Sequence, residues 1–370
     1  MPVIPPAVSD ARLLIDTLRF WPEPDAASMT ARWAQSDASA IARLAESEGA
    51  SLWLHRRLRA LGIAVPGNAA DKIATAARAA AARALRVDEE ALAALSILDG
   101  AGIAVVPLKA AVLRRITARV PLADARATSD VDLLVETAHA ARAWTVLSDR
   151  GYVARRPAGQ AHHLPGLFGA FGVAVELHTS TSVRVSPSEA WRRAMLDGAM
   201  ADVAGASRPV PGDTELLWHA VTHVLANVEE SGRTLCLRGW LDVAALLAAG
   251  APIDWDRINV RLRSAECARP SFARAWLRTA SDLSGRSLPV GTLGSEGDRA
   301  LDLHRLLSWR LRVATRHATG GRWAEKLAEE GARGEGGLSL QTAHRASGAY
   351  GRFRHAIACG AARTWWLMRR

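Results

Sequence analysis

The chain has 370 residues, of which 49% are apolar, and a formal net charge of +10. That length suits one large domain with extensions, or two of ordinary size, around a sizeable core. Arg interrupts the apolar stretches, no basic start leads into an apolar run, and Cys236, Cys267 and Cys359 lie far apart; these patterns predict no transmembrane segment, no signal peptide, no disulfide ladder and a cytoplasmic setting.

A basic chain can meet nucleic acid, an anionic membrane face or a polyanionic substrate such as a triphosphate. Here the basic residues are nearly all Arg, and the lysines are Lys72, Lys109 and Lys326. So uniform a preference reads partly as codon bias, and the charge carries little functional weight. No patch interleaves basic with aromatic residues, so nucleic acid is not an expected partner. Lys109 stands out instead, written as Lys in a chain that writes Arg almost everywhere.

Ala-rich segments with charges at helical spacing predict a mostly helical protein. Residues 1–87 read as a helical lead-in, with one helix over 41–61 ending at Gly62 and another through the Ala/Arg stretch from about Asp71. Residues 88–186 change character. Asp88, Glu89 and Glu90 suit an N-cap and acidic first turn for a helix that stops at Gly100. IAVVP (103–107) reads as a buried strand, followed by a short helix over 108–118. SDVDLLVE (129–136) is a strand with a polar start and an apolar end. A helix over 137–150 ends at Gly151, 152–155 suits a further strand, and VAVELH (173–178) is another. Three or four strands among helices predict an α+β fold, a small mixed sheet flanked by helical N- and C-terminal regions. Residues 187–320 return to helices, through ELLWHAVTHVL (215–225), LRGWLDVAALLAAG (237–250) and DWDRINVRLR (254–263). The extension over 321–370 is Gly-rich and then basic. Its Trp365 and Trp366 suit either a helix capping the core or contact with a membrane interface.

The chemistry concentrates in Ser129-Asp130-Val131-Asp132. Side chains alternate along a strand, so Asp130 and Asp132 share a face. Two carboxylates on one face repel unless a cation lies between them. Oxygen ligands suit Mg²⁺, which also takes substrate phosphate oxygens. Glu176 supplies a third acid if its strand is adjacent; it lies between Val175 and Leu177, and a buried unpaired carboxylate is costly. Two metals about 3.5–4 Å apart would then clamp the attacking and leaving oxygens of an in-line phosphoryl displacement. The plainer alternative for Asp130 and Asp132 is a solvated strand end. Lys109, after a buried strand, offers a point charge to triphosphate oxygens, or is a solvated loop residue. Arg126 suits bridging the acids or binding phosphate, or is one surface Arg among many. His162 and His163 form a loop pair near the acids. His219 and His223 stand four apart on a helix, as zinc ligands can, but no HExxH motif or neighbouring Cys supports zinc.

The ordered set PLKAAVLRRI, DARATSDVDLLV, GYVARR, HHL and VAVELH, continuing into ELLWHAVTHVL and LRGWLDVAALL, resembles a family of uncharacterised bacterial nucleotidyltransferases within the polymerase-β-like superfamily. The resemblance covers roughly residues 40–265. It implies a transferase that moves a nucleoside monophosphate from an NTP, with Mg²⁺ or Mn²⁺, to a hydroxyl or other acceptor on a small molecule or peptide. By this resemblance Asp130 and Asp132 are the paired metal ligands and Glu176 the third acid, all three catalytic. Lys109, Arg126, Ser129 and His178 fall to nucleotide binding. Residues 88–186 become the nucleotidyltransferase core, and 187–320 shape the acceptor pocket. Ala110 stands where the family has Gly, and Thr179 where Trp commonly follows Glu-x-His. The first departure supports an alternative, a non-catalytic accessory protein that keeps the fold in a natural-product or polysaccharide pathway.

Overall fold

A computed structural model describes residues 6–20, 23–109, 126, 128–154, 162–196, 198–203, 206–230, 237–289 and 291. Four short helices come first: α1 (Pro6–Leu18), α2 (Ala26–Ala34), α3 (Ala38–Ser47) and α4 (Ser51–Ala60). The helix expected over 41–61 is thus two. Gly49, at φ 67°, takes the left-handed conformation that ends α3 and lets α4 start at a new angle. Asp37 caps α3 by accepting from the Ala40 N–H at 2.9 Å.

A single long helix, α5 (Ala69–Gly100), follows. The N-cap expected at Asp88 does not form, and the expected boundary at 87/88 lies inside this helix. The stretch is rich in Ala, Leu, Arg and Glu and has no Gly or Pro before Gly100, so nothing stops propagation. Glu90 does not cap anything; it is buried and accepts the Phe171 N–H at 3.1 Å.

The strands are β1 (Val105–Pro107), β2 (Asp130–Val135), β3 (Val153–Ala154), β4 (Leu167–Phe168) and β5 (Ala174–His178), with helix α6 (Thr137–Asp149) between β2 and β3. They form one mixed sheet in the order β1-β2-β5-β4-β3. β2 runs antiparallel to β1 and parallel to β5. β2 is buried from Val131 to Val135 and packs against α5 and α6, which makes it the spine of the sheet. The helix expected over 108–118 lies, beyond Lys109, outside the described residues, as do Ala110, Arg155 and the extension over 321–370 with Trp365 and Trp366.

The C-terminal part holds α7 (Pro187–Leu196), a hairpin of β6 (Ala199–Val203) and β7 (Ala206–Val210), α8 (Asp213–Glu230), α9 (Leu237–Ala248), α10 (Trp255–Arg263) and α11 (Pro270–Ser284). The hairpin corrects the all-helical expectation for 187–320. Its strands are five residues each, and Asp202, Arg208 and Pro209 mask the apolar alternation that Val203 and Val210 bury. α9 packs along α11, with Trp240 stacked on Trp276 at 6.2 Å between ring centroids. One apolar core runs through the helices and the sheet. The expected α+β class holds: a small mixed sheet flanked by helical regions.

Candidate active site

The pairing of β2 with β5 sets Asp132 directly opposite Glu176, and Leu134 opposite His178. Side chains alternate, so Val131, Leu133, Val175 and Leu177 enter the core while Asp132, Glu176 and His178 share the other face. The β1–β2 ladder continues one step past Pro107, where the Leu108 N–H donates to the Asp132 carbonyl at 2.9 Å. That step delivers Lys109 to the same place. Its backbone sits at φ 45°, a left-handed conformation that is costly for a residue with a Cβ and that gathers at functional sites.

Asp132 is the centre of the cluster and is 1% exposed. Its Oδ1 accepts from Lys109 Nζ at 2.7 Å and from His178 Nε2 at 2.9 Å. Its Oδ2 is buried and has no protein partner among the described residues. Burial raises the Asp132 pKa, but the Lys109 ammonium and His178 outweigh it and hold the carboxyl well below the usual range. Burial likewise lowers Lys109, and the carboxylates of Asp132 and Asp130 more than compensate. Glu176 Oε2 stands 3.6 Å from His178 Nε2, and the neighbouring imidazole draws its pKa down. Glu176 is less buried than its apolar neighbours implied, with 27% of its side chain exposed. The deeply buried acid is Asp132.

Asp130 lies two residues earlier on the same face, and burial together with the Asp132 charge pushes its pKa up. Ser129 Oγ lies 3.4 Å from Asp130 Oδ1. Arg126 is buried and donates from Nε to Asp242 Oδ1 on α9 at 2.8 Å. Asp242 is the residue that sequence reasoning missed. The available signal was a lone acid in the apolar run LRGWLDVAALL.

Histidines ring the cluster. His163 forms a bridge to His178, and the His162 carbonyl accepts the Thr179 N–H at 2.9 Å, so both lie along β5. The ring centroids of His162 and His163 lie 5.6 and 5.1 Å from that of His178. His219 and His223 face each other on α8, edge to face, at 6.3 Å. Among the described residues they belong to no group of three that could hold a metal. Asp132, Glu176 and His178 do form one, with donor atoms all within 4.8 Å of one another.

A family model described as uncharacterised nucleotidyltransferase matches residues 34–280, well over half of the chain. The chain belongs to this family. It is a transferase of phosphorus-containing groups, and its family implies an NTP as substrate. No curated protein matches the chain, and no solved structure does. No helix among the described residues of the nucleotidyltransferase is long and apolar enough to cross a membrane.

Proposed function

We propose that this protein transfers a nucleoside monophosphate from an NTP to a hydroxyl or similar group on a small molecule or peptide, with Mg²⁺ or Mn²⁺, in the cytoplasm. The observation that carries this reading is the carboxylate cluster on the paired strands β2 and β5, in a chain of nucleotidyltransferase family. The residues fit a divalent ion. Asp132 Oδ2 is a buried anionic oxygen without a protein partner among the described residues, which is costly unless a cation meets it. Among the described residues the three carboxylates face Lys109 and His178, and Arg126 is engaged by Asp242. A divalent ion bound there neutralises triphosphate charge and lowers the pKa of the acceptor hydroxyl.

Asp132 and Glu176 would hold that ion, with Asp130 as the further carboxylate on the same face. Lys109, fixed by Asp132, carries a compact ammonium for phosphate oxygens. Glu176, the most exposed of the three residues that could hold the metal, would accept the acceptor's proton. Ser129 adds a hydroxyl at the start of β2. Residues beyond 187 shape the acceptor pocket.

The test is incubation of the full chain with each α-labelled NTP, Mg²⁺ or Mn²⁺, and an extract of metabolites and peptides. A labelled product that disappears in Glu176→Gln supports the reading. Labelled NTP that binds without turnover under any acceptor would favour a non-catalytic accessory protein.

A further inference from the structure

His178 is more than a neighbour of the acids. Its Nε2 lies 2.9 Å from Asp132 Oδ1 and 3.6 Å from Glu176 Oε2. A hydrogen bond accounts for the first distance but not the second, which is too long for one. One proton on Nε2 serves Asp132 and does not reach Glu176. A cation serves both, because two donors about 2.1 Å from one ion and at a right angle to each other lie about 3.0 Å apart. The separations around Nε2 bracket or slightly exceed that edge. The imidazole is 3% exposed and fixed on β5. Its other nitrogen, Nδ1, is buried and has no partner among the described residues. Binding a cation through Nε2 would leave the ring proton on Nδ1.

We propose that His178 Nε2 is a direct ligand of the catalytic cation, and that the resulting oxygen, oxygen, nitrogen donor set selects Mn²⁺ or another first-row transition ion over Mg²⁺. This rests on the metal-dependent reading above. Carboxylates alone suit Mg²⁺ and Mn²⁺ alike, whereas imidazole is a ligand of the transition ions and adds little for Mg²⁺. Coordination at Nε2 requires the neutral ring, so the ion displaces the proton now shared with Asp132.

The experiment is pulsed electron paramagnetic resonance of Mn²⁺ bound to the full-length protein, read for nitrogen coupling, with natural-abundance and ¹⁵N-histidine protein. The wild type is expected to show an imidazole nitrogen coupling that changes with the isotope. Mn²⁺ should bind more tightly than Mg²⁺ in direct competition. In His178→Gln the coupling should vanish and the ratio fall towards one. Bound Mn²⁺ without nitrogen coupling in the wild type overturns the assignment of His178 and leaves metal-dependent transfer standing. Coupling that persists in His178→Gln overturns it too, pointing to another histidine. Mg²⁺ bound in preference to Mn²⁺ overturns the proposal alone, and neither ion bound, with or without ATP, overturns both readings.

Discussion

The contact of α9 with α11 and the face of β2 that carries Asp132 are both buried, for opposite reasons. Trp240 and Trp276 are at most 1% exposed and lose water because apolar surface gains by it. Asp132, His178, Arg126 and Asp242 are buried at 8% exposure or less, and each is tolerable only through its partner. In the apolar contact a substitution costs what it removes. In the polar one it costs what it leaves behind. α9 joins the two, since Trp240 and Asp242 lie two residues apart on it.

The largest expected effect is on catalysis. Asp132→Asn should lower turnover by about a thousandfold or more, since metal-borne charge stabilisation amounts to several kcal/mol. It should also lower the melting temperature, because Lys109 and His178 lose the carboxylate that justifies their burial. Glu176→Gln should lose turnover to a similar degree while melting within a degree or two of the wild type, as that side chain is more open. Equal melting of wild type and Asp132→Asn would mean that the carboxylate does not hold Lys109 and His178 in the fold.

Next is the clamp between the site and the helices. Asp242→Ala leaves the buried Arg126 guanidinium without its partner and should cost about 3–5 kcal/mol in urea unfolding. Trp276→Ala should cost a similar amount, about 3–5 kcal/mol, by the separate route of a cavity. The double variant Arg126→Ala/Asp242→Ala tells them apart. It should cost clearly less than the sum of its singles, whereas Trp276→Ala and Asp242→Ala should combine with no such relief.

Much of this was legible in the chain. The period-two pattern of DVDLLV and VAVELH placed both strands and the shared face of the acids. What the pattern lacks is long-range pairing. The parallel register that sets Asp132 opposite Glu176 is a tertiary fact, as is the ion pair of Arg126 with Asp242 across 116 residues. Arg126 and Lys109 look alike in sequence as lone cations near acids. In the structure Lys109 meets the site carboxylate directly, and Arg126 is turned to a helix. Helix boundaries also failed where local signals competed. Gly49 split an apparently continuous helix, and the acidic run at 88–90 did not interrupt α5 because Ala-rich propensity carried through it.

A smaller effect concerns pH. Burial, with the Lys109 charge, lowers the His219 pKa from 6.5 to about 3. Below pH 6.5 the unfolded chain takes up a proton on this residue and the folded one does not. Its contribution to stability is therefore full above that pH, falls progressively as pH drops, and levels off below about 3. His219→Gln, which cannot titrate, should flatten that part of the urea midpoint against pH. An unchanged slope would mean that His219 is charged in the folded state and does not belong with the buried polar set.

The smallest effect is at the surface, and it tests whether burial or charge sets the scale. Glu189 on α7 accepts from Arg192 at 2.8 and 2.7 Å and from Arg193 at 2.6 Å, while Arg193 also holds Glu266 through two bonds of 2.9 and 2.7 Å. The network has more hydrogen bonds than the single one between Arg126 and Asp242. Yet about a third of the Glu189 side chain is exposed, so water screens it and replaces what is lost. Glu189→Gln should therefore cost less than about 1 kcal/mol, and less still in high salt. The two arginines draw the Glu189 pKa below 4.5, by less in effect than the same pairing would achieve if buried. A depressed carboxyl stabilises above its unfolded pKa, so the difference between wild type and variant should be constant above pH 4.5 and shrink as pH falls below it. If Glu189→Gln cost as much as Asp242→Ala, the number of hydrogen bonds would outrank burial, and the contrast between the two kinds of buried surface would lose its basis.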